Sequence, residues 1–336
     1  MVTFTRASGT PEKAEKWPDK KGYTILFSGG VDSLAGAIEL IEKNGADAVQ
    51  LASHLTANPI TRESQNQLSM YIEKSLGKPQ RMIVRTGGTK SGDLDFPSDS
   101  DREETQRTRS FMFLTIATLA ARRSGHTKIV VIAENGQMAI HLPLSAGRIG
   151  AFSTHTAHPD FVQQAAQLFS SILDVSLEIN NPYLYLTKAE VVARIAAGHS
   201  SALKDSVSCW RASRVGSQFN HCGQCVPCLI RRIAFEKNGV ILKEYERDLL
   251  AEDIPNLPET DDGKRNLVEI IEFSQMFVSA TDAALEEGFP DLISDQIDKP
   301  KAIKMYRRFA NEATSVLKNY SGPAALFSVP KKTPRK

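Results

Sequence analysis

The run Tyr23-Thr-Ile-Leu-Phe27 leads straight into Ser28-Gly-Gly-Val-Asp-Ser33, after which Leu34, Ala37, Ile38 and Ile41 recur on one face before Gly45. The first run is short, apolar and β-prone, and the adjacent glycines mark a turn. The later spacing is that of an amphipathic helix from Ser33 to Lys43. The unit is therefore strand, glycine loop, helix. Gly29 and Gly30 permit positive φ and let the backbone approach a phosphate. The first amides of the helix then face the anion, helped by the helix dipole. Ser28 and Ser33 add hydroxyl donors. Asp32 would repel a phosphate directly, so it caps the helix, orients the loop or holds Mg²⁺. No Gly-Lys-Ser/Thr follows, which excludes a Walker A loop, and adjacent glycines exclude a dinucleotide fingerprint.

Beyond this unit, strand and helix signals keep alternating. Strands are expected at 48–53, 81–85, 128–133 and 176–179, and helices at 61–76, 105–124, 160–173 and 188–197. Residues 87–101 read as a mobile loop and 136–159 as irregular. This alternation predicts an α/β fold with a doubly wound parallel sheet covered on both faces. Ligands of such sheets bind at the carboxyl ends of the strands, so Ser28–Ser33, Ser53–His54 and Glu134–Gly136 should line one crevice. Beyond Gly239 no strand signal remains; 266–287 and 301–320 read as helices with prolines between them. The expected organisation is a nucleotide-binding domain over 22–238, a helical appendage over 240–325, and flexible ends at 1–21 and 326–336.

Ser28 to Ser33 resembles the SGGxDS signature of the PP-loop ATP pyrophosphatases, whose fold is adenine nucleotide alpha hydrolase-like. The resemblance implies ATP as cofactor and cleavage between its α- and β-phosphates. It also implies an adenylated intermediate and a pyrophosphate cradled by the loop.

A second signal lies late in the chain: Cys209, then His221-Cys-Gly-Gln-Cys-Val-Pro-Cys228. Twelve residues separate Cys209 from Cys222, and two separate each later pair. In the reducing compartment expected for this chain, clustered thiolates argue for metal rather than disulfides. Four of them satisfy tetrahedral Zn²⁺ in a closed, structural site, and Gly223 permits the turn that brings them together. An iron–sulfur cluster, a sulfur-transfer cysteine, and a site in which His221 replaces one thiolate are the alternatives.

Together the two signals resemble QueC, the 7-cyano-7-deazaguanine synthase family. The similarity rests on Ser208-Cys209-Trp210, on the Cys-Gly-x-Cys-x-x-Cys core, and on the following Leu229-Ile-Arg-Arg232. Thr187-Lys-Ala-Glu-Val191 and Arg109 in Thr-Arg-Ser-Phe-Met-Phe-Leu114 extend it over roughly 22–238. The resemblance implies adenylation of a 7-carboxy-7-deazaguanine acid, amide formation with ammonia, and dehydration to a nitrile with a second ATP. Lys188 would meet a phosphate or the acyl-adenylate, Arg109 would serve the substrate, and His54 would touch the adenosine. Each of the three also reads as an ordinary surface residue.

The stretch after the fourth strand departs from that family. Glu134-Asn-Gly136, Pro143-Leu144, Arg148-Ile-Gly150 and Ser153-Thr-His-Thr-Ala-His-Pro159 stand where an aspartate-rich segment is usual. This looks like a divergent QueC-like branch from bacterial anti-phage defence clusters. Glu134 can accept hydrogen bonds from a purine edge or ribose, and Asn135 can read an amide or base. Arg148 and His158 can neutralise a carboxylate or phosphate. With Thr154 they form the candidate substrate set. An ordinary polar loop is the competing reading.

Lys plus Arg total 41 and Asp plus Glu 39 in 336 residues, a net of +2, so nothing in the balance draws the chain to nucleic acid or membrane. The basic tail from Val329 reads as a frayed end. The polar residues 1–22 carry no secretory signal, and the apolar run 111–121 is too short to span a bilayer. A cytoplasmic location is expected. The expected partners are a small acid, ATP and a nitrogen nucleophile: ammonia, or an amine on a protein or nucleic acid. A homodimer is a further expectation. A nucleotide-binding subunit without turnover and a tRNA-thiolation enzyme are the alternatives.

Overall fold

The computed structural model describes residues 17, 20–86, 108–126, 130–145, 148, 157–242 and 244–328. The expected loop over 87–101, the helix start at 105–107, the strand residues 128–129, Thr154 with its neighbours, and most of both expected flexible ends lie outside the described residues.

The chain runs β1 (Tyr23–Leu26), α1 (Val31–Asn44), β2 (Val49–His54), α2 (Pro59–Leu76), β3 (Gln80–Val84), α3 (Arg109–Ser124), β4 (Val130–Val131), α4 (Gly136–Ile140), α5 (Pro159–Leu173), β5 (Ile179–Asn180) and α6 (Lys188–Leu203). Then follow α7 (Val226–Lys237), α8 (Asp262–Ser279), α9 (Asp282–Gly288), α10 (Lys299–Leu317) and α11 (Ser321–Leu326). The five strands are all parallel, in the order β3-β2-β1-β4-β5. Chain order reverses between β1 and β4, whose register pairs Thr24 with Val130 and Ile25 with Val131. That reversal opens a crevice at the carboxyl ends of these two strands.

The inner strands β1 and β2 are buried because helices cover both faces of the sheet there, whereas the edge strand β3 is largely exposed. One core packs Leu34 and Ile38 of α1, Leu68 and Ile72 of α2, and Val191 and Ile195 of α6 against Ile25 and Leu51. A second core on the opposite face joins Leu114 and Ala117 of α3 to Val162 and Phe169 of α5. The doubly wound α/β expectation is met.

Two expectations change. The irregular span over 136–159 contains α4, because the Asn135 side chain accepts the Met138 N–H and starts a short helix. The single helix expected over 266–287 is two, because α8 stops at Ala280 and Thr281 caps α9 by accepting the Ala284 N–H at 3.3 Å. The third and largest core is built from α8, α10 and their neighbours, and it includes Val226, Leu229, Ile230 and Ile233 of α7. The C-terminal helices and the helix after the cysteines thus share one interior. No described helix is long and apolar enough to cross a membrane.

Candidate functional site

The glycine loop leaves β1 and enters α1 at the sheet's switch point. Gly29 takes φ +87°, and a Cβ there would lie 3.0 Å from Ser64 Oγ and 3.2 Å from Gln65 Cγ. Gly30 does not use positive φ: at φ −82° it is the extended residue that caps α1. Ser33 Oγ donates to the Gly30 carbonyl at 2.9 Å and lies 3.2 Å from Ser28 Oγ, so the hydroxyls tie the loop to itself. Asp32 does not cap the helix. Its carboxylate turns inward, where Lys188 Nζ lies 2.7 Å and Asn135 Nδ2 2.8 Å from Oδ2. Of the three roles expected for Asp32, capping is the one the geometry removes.

Lys188 is aimed by its helix start. Thr187 and Glu190 form a reciprocal capping box at the head of α6, and the Lys188 N–H donates to Gln137 Oε1 at 2.7 Å. Lys188 and Asp32 are both buried. Burial pushes the Asp32 carboxyl up, but the Lys188 charge and hydrogen bonds from Glu134, Lys188 and Asn135 outweigh it and hold it below its ordinary value. Glu134 goes the other way. Burial, then the neighbouring Asp32 charge, raises it well above the usual carboxylate range. The two carboxyls are thus pushed in opposite directions, Asp32 toward the ionised form and Glu134 toward the protonated one, the arrangement that separates an electrostatic role from a proton-holding one.

These groups line a cavity of about 170 Å³ whose walls are Ser28, Gly30, Asp32, Ser33, Glu134, Met138 and Lys188 on one side. Val207, Ser208, Trp210, Pro227 and Ile230 close the other. Asp32 Oδ1 and Ser208 Oγ are buried without a hydrogen-bond partner among the described residues, and both residues line this cavity, one on each side. Buried polar atoms without partners are rare, and two on one cavity mark a place for a polar ligand.

The opposite wall is held by the cysteines. The Sγ atoms of Cys209, Cys222, Cys225 and Cys228 all lie within 4.8 Å of one another, with Cys209–Cys225 at 4.0 Å and Cys222–Cys228 at 3.9 Å. Tetrahedral Zn–S bonds of about 2.3 Å place sulfurs about 3.8 Å apart, so the four residues fit zinc. Hydrogen bonding among the sulfurs, to Cys209 first, pulls the Cys222 thiol down and pushes Cys225 and Cys228 up. Such a set carries full negative charge only around a cation. Gly223 sits at φ +76° where a Cβ would collide with the Arg247 carbonyl at 1.9 Å, which is why the turn needs glycine. His221 is no fifth candidate. Burial, then the Arg231 charge, lowers it to about 3, and its Nε2 accepts the Ser208 N–H at 3.2 Å. Fully buried Arg231 donates to Ser206 Oγ at 2.8 Å and the Leu203 carbonyl at 2.9 Å. The segment it anchors returns to the glycine loop, where the Val207 N–H donates to the Gly29 carbonyl at 2.9 Å.

The structure thus gathers Ser28, Gly29, Gly30, Asp32, Ser33, Glu134, Asn135 and Lys188 in one place. His54 stands off the cavity wall at the end of β2, 2.7 Å from Thr86 Oγ1, and its ring sits 5.8 Å from Phe113. Burial, then the charge of Arg109, lowers its pKa. Arg109 lies over Phe113 at 5.3 Å. His158 is the residue before α5, 3.7 Å from Asp160. Arg148 lines a separate cavity of about 410 Å³, paired with Glu269 at 2.5 Å and with Asn266. Trp210 is common to both cavities. Ser208 and Trp210, legible in the sequence only as the flanks of Cys209, also line the cavity, and Gln137, which carries no signal there, holds the Lys188 N–H.

The family described as queuosine biosynthesis protein QueC matches residues 23–239. The chain is 27% identical over 237 residues to the 7-cyano-7-deazaguanine synthase of Agrobacterium fabrum, covering 66% of this chain and 91% of that one. It is 26% identical over 236 residues to the enzyme of that name from Sinorhizobium fredii, with 66% and 91% covered. For the one from Paracoccus denitrificans the figures are 23% over 236 residues, with 64% and 89% covered. The match begins at the first residue of β1 and ends two residues past α7, so it takes in the whole site and stops short of α8 to α11; this chain belongs to the QueC family.

Proposed function

We propose that the chain uses ATP to adenylate the carboxylate of 7-carboxy-7-deazaguanine or a closely related acid and passes the acyl group to a nitrogen nucleophile. The observation that carries this reading is the cavity in which the glycine loop, the Asp32–Lys188 ion pair and Glu134 meet. The acid oxygen attacks the α-phosphorus and pyrophosphate leaves. The nitrogen then attacks the acyl carbon and AMP departs with the former acid oxygen. With ammonia the product is the amide, and activation of its oxygen by a second ATP gives the nitrile.

In this reading the loop amides and the hydroxyls of Ser28 and Ser33 cradle the departing pyrophosphate. Lys188 neutralises charge that develops on the transferring phosphoryl group. Asp32 would hold Mg²⁺ through Oδ1, and the ion would neutralise phosphate charge. Glu134 presents a protonated carboxyl to the acid or to the departing oxygen. Ser208 Oγ is a donor for the purine-like ring. The four thiolates would hold zinc and keep Val207 and Ser208 against the loop.

The test is to incubate the full chain with ATP, Mg²⁺, ammonium and 7-carboxy-7-deazaguanine, following AMP, pyrophosphate and product mass, with Asp32→Ala as the control. AMP with an amide or nitrile product supports the reading. AMP with the acid consumed only when protein or nucleic acid is added would place the nucleophile on a macromolecule, the finer reading that suits a defence role. No AMP with this acid or its relatives would sink the proposal.

A further inference from the structure

Residues beyond 239 lie outside the family match, yet α10 packs against α4 and α6, the two helices that meet at Lys188. Thr187 Oγ1, fully buried, donates to Glu312 Oε1 at 2.9 Å while accepting the Glu190 N–H at 3.1 Å. Arg308 pairs with Glu190 at 2.7 Å and donates to the Tyr185 carbonyl at 2.8 Å. Tyr306, also on α10, accepts the Leu142 N–H at 3.1 Å just past α4. The helix therefore grips both segments that flank Lys188: α4, whose Gln137 takes the Lys188 N–H, and the turn that caps α6.

We propose that α10 is a positioning element for Lys188, acting through the Thr187–Glu312 hydrogen bond. It rests on the role given to Lys188 above. A threonine hydroxyl has one proton to donate, and Glu312 takes it. Without that acceptor the capping turn must find another arrangement, and Lys188 Nζ leaves its 2.7 Å contact with Asp32. A displacement of about 1 Å is enough to cost a catalytic group up to ~10²-fold in rate. The C-terminal helices, absent from the matched family region, thereby become part of how this chain builds its active site.

The test uses the full chain and needs no substrate. A short pulse of N-hydroxysuccinimide acetate labels lysines, and peptide mass spectrometry reads Lys188 against exposed Lys204. Glu312→Leu should raise Lys188 labelling roughly tenfold while Lys204 is unchanged. Glu312→Gln keeps an oxygen acceptor and should stay near wild type. Thr187→Val removes the donor and serves as the second probe if Glu312→Leu does not fold. Where turnover is measured, Glu312→Leu should lower kcat about tenfold with the KM for ATP within about twofold. Folded Glu312→Leu or Thr187→Val with unchanged Lys188 labelling would overturn the proposal, as would Glu312→Gln behaving like Glu312→Leu. Labelling that responds in a chain that makes no AMP would leave the positioning standing and remove the function. Labelling that does not respond in a chain that does make AMP would remove the positioning alone.

Discussion

Asp32 and Glu134 line one cavity, and their surroundings push them apart: Lys188 and Asn135 serve the first, while burial and the Asp32 charge act on the second. Glu134 should therefore keep its proton to a higher pH than a free carboxyl does. Activity that needs the protonated form will fall on the alkaline side, and Glu134→Gln, which mimics the neutral acid, should remove that limb from the pH–rate profile. The sign for stability follows from the same shift. A carboxyl raised on folding binds its proton more tightly in the native state, so the native state loses stability as pH rises from about 4.3 toward the folded pKa. Glu134→Gln should accordingly raise Tm at pH 7 and leave it unchanged near pH 4. Lys188→Ala removes the ammonium and leaves Asp32 charged and buried without it. AMP formation should fall on the order of 10²–10³-fold, read by single-turnover kinetics, and the variant should unfold earlier by several kcal/mol. Much of this pair was visible beforehand, since both residues sit in motifs. Their meeting was not: Asp32 and Lys188 stand far apart in the chain, and only the sheet order brings the head of α6 beside the head of α1.

The cysteine segment behaves as one element with the glycine loop. Cys209 follows directly on Val207 and Ser208, and the Val207 N–H is bonded to Gly29. Zinc removal should therefore disturb activity as well as stability. One zinc per chain is expected by metal analysis and should be lost in Cys225→Ser. Tm should then fall by roughly 10 °C or more, since about 1 kcal/mol moves Tm by ~2–4 °C in a domain of this size. A full-length Cys225→Ser that kept both its metal and its Tm would contradict the cluster as a metal site. At this scale the sequence was readable where spacing encodes geometry. The Cys-x-x-Cys repeats, the alternating strands and the Gly29 turn are all local patterns. It was less readable at α4, a five-residue helix started by one asparagine, and at the break before Thr281, where a capping threonine interrupts an otherwise helical pattern. His54 was chosen for following a strand, Arg109 for the family resemblance and His158 for its polar loop. The folded chain sets them against Phe113, Thr86 and Asp160 and not among the residues that line the cavity, contacts that periodicity does not carry.

For the whole molecule, the interior shared by α7, α8 and α10 ties the zinc segment to the C-terminal helices. Cutting the chain after Gly239, where the family match ends, would strip cover from Leu229, Ile230 and Ile233. Each such side chain is worth about 1.5–3 kcal/mol of burial. The truncated chain should be insoluble or lack a cooperative thermal transition, whereas the full chain melts in one. A soluble, cooperatively folding 1–239 fragment would show that the appended helices are dispensable to the fold. That the later region is helical could be read from its pattern. That its helices close over the site could not, because the contacts join residues more than a hundred positions apart, such as Thr187 and Glu312.

The most direct test of adenylation follows the oxygen of the acid. With 7-carboxy-7-deazaguanine labelled by heavy oxygen in its carboxylate, a single turnover with ATP and ammonium should deliver one labelled oxygen to AMP and none to inorganic phosphate. Label appearing in phosphate, with ADP in place of AMP, would mean an acyl-phosphate route and contradict the account.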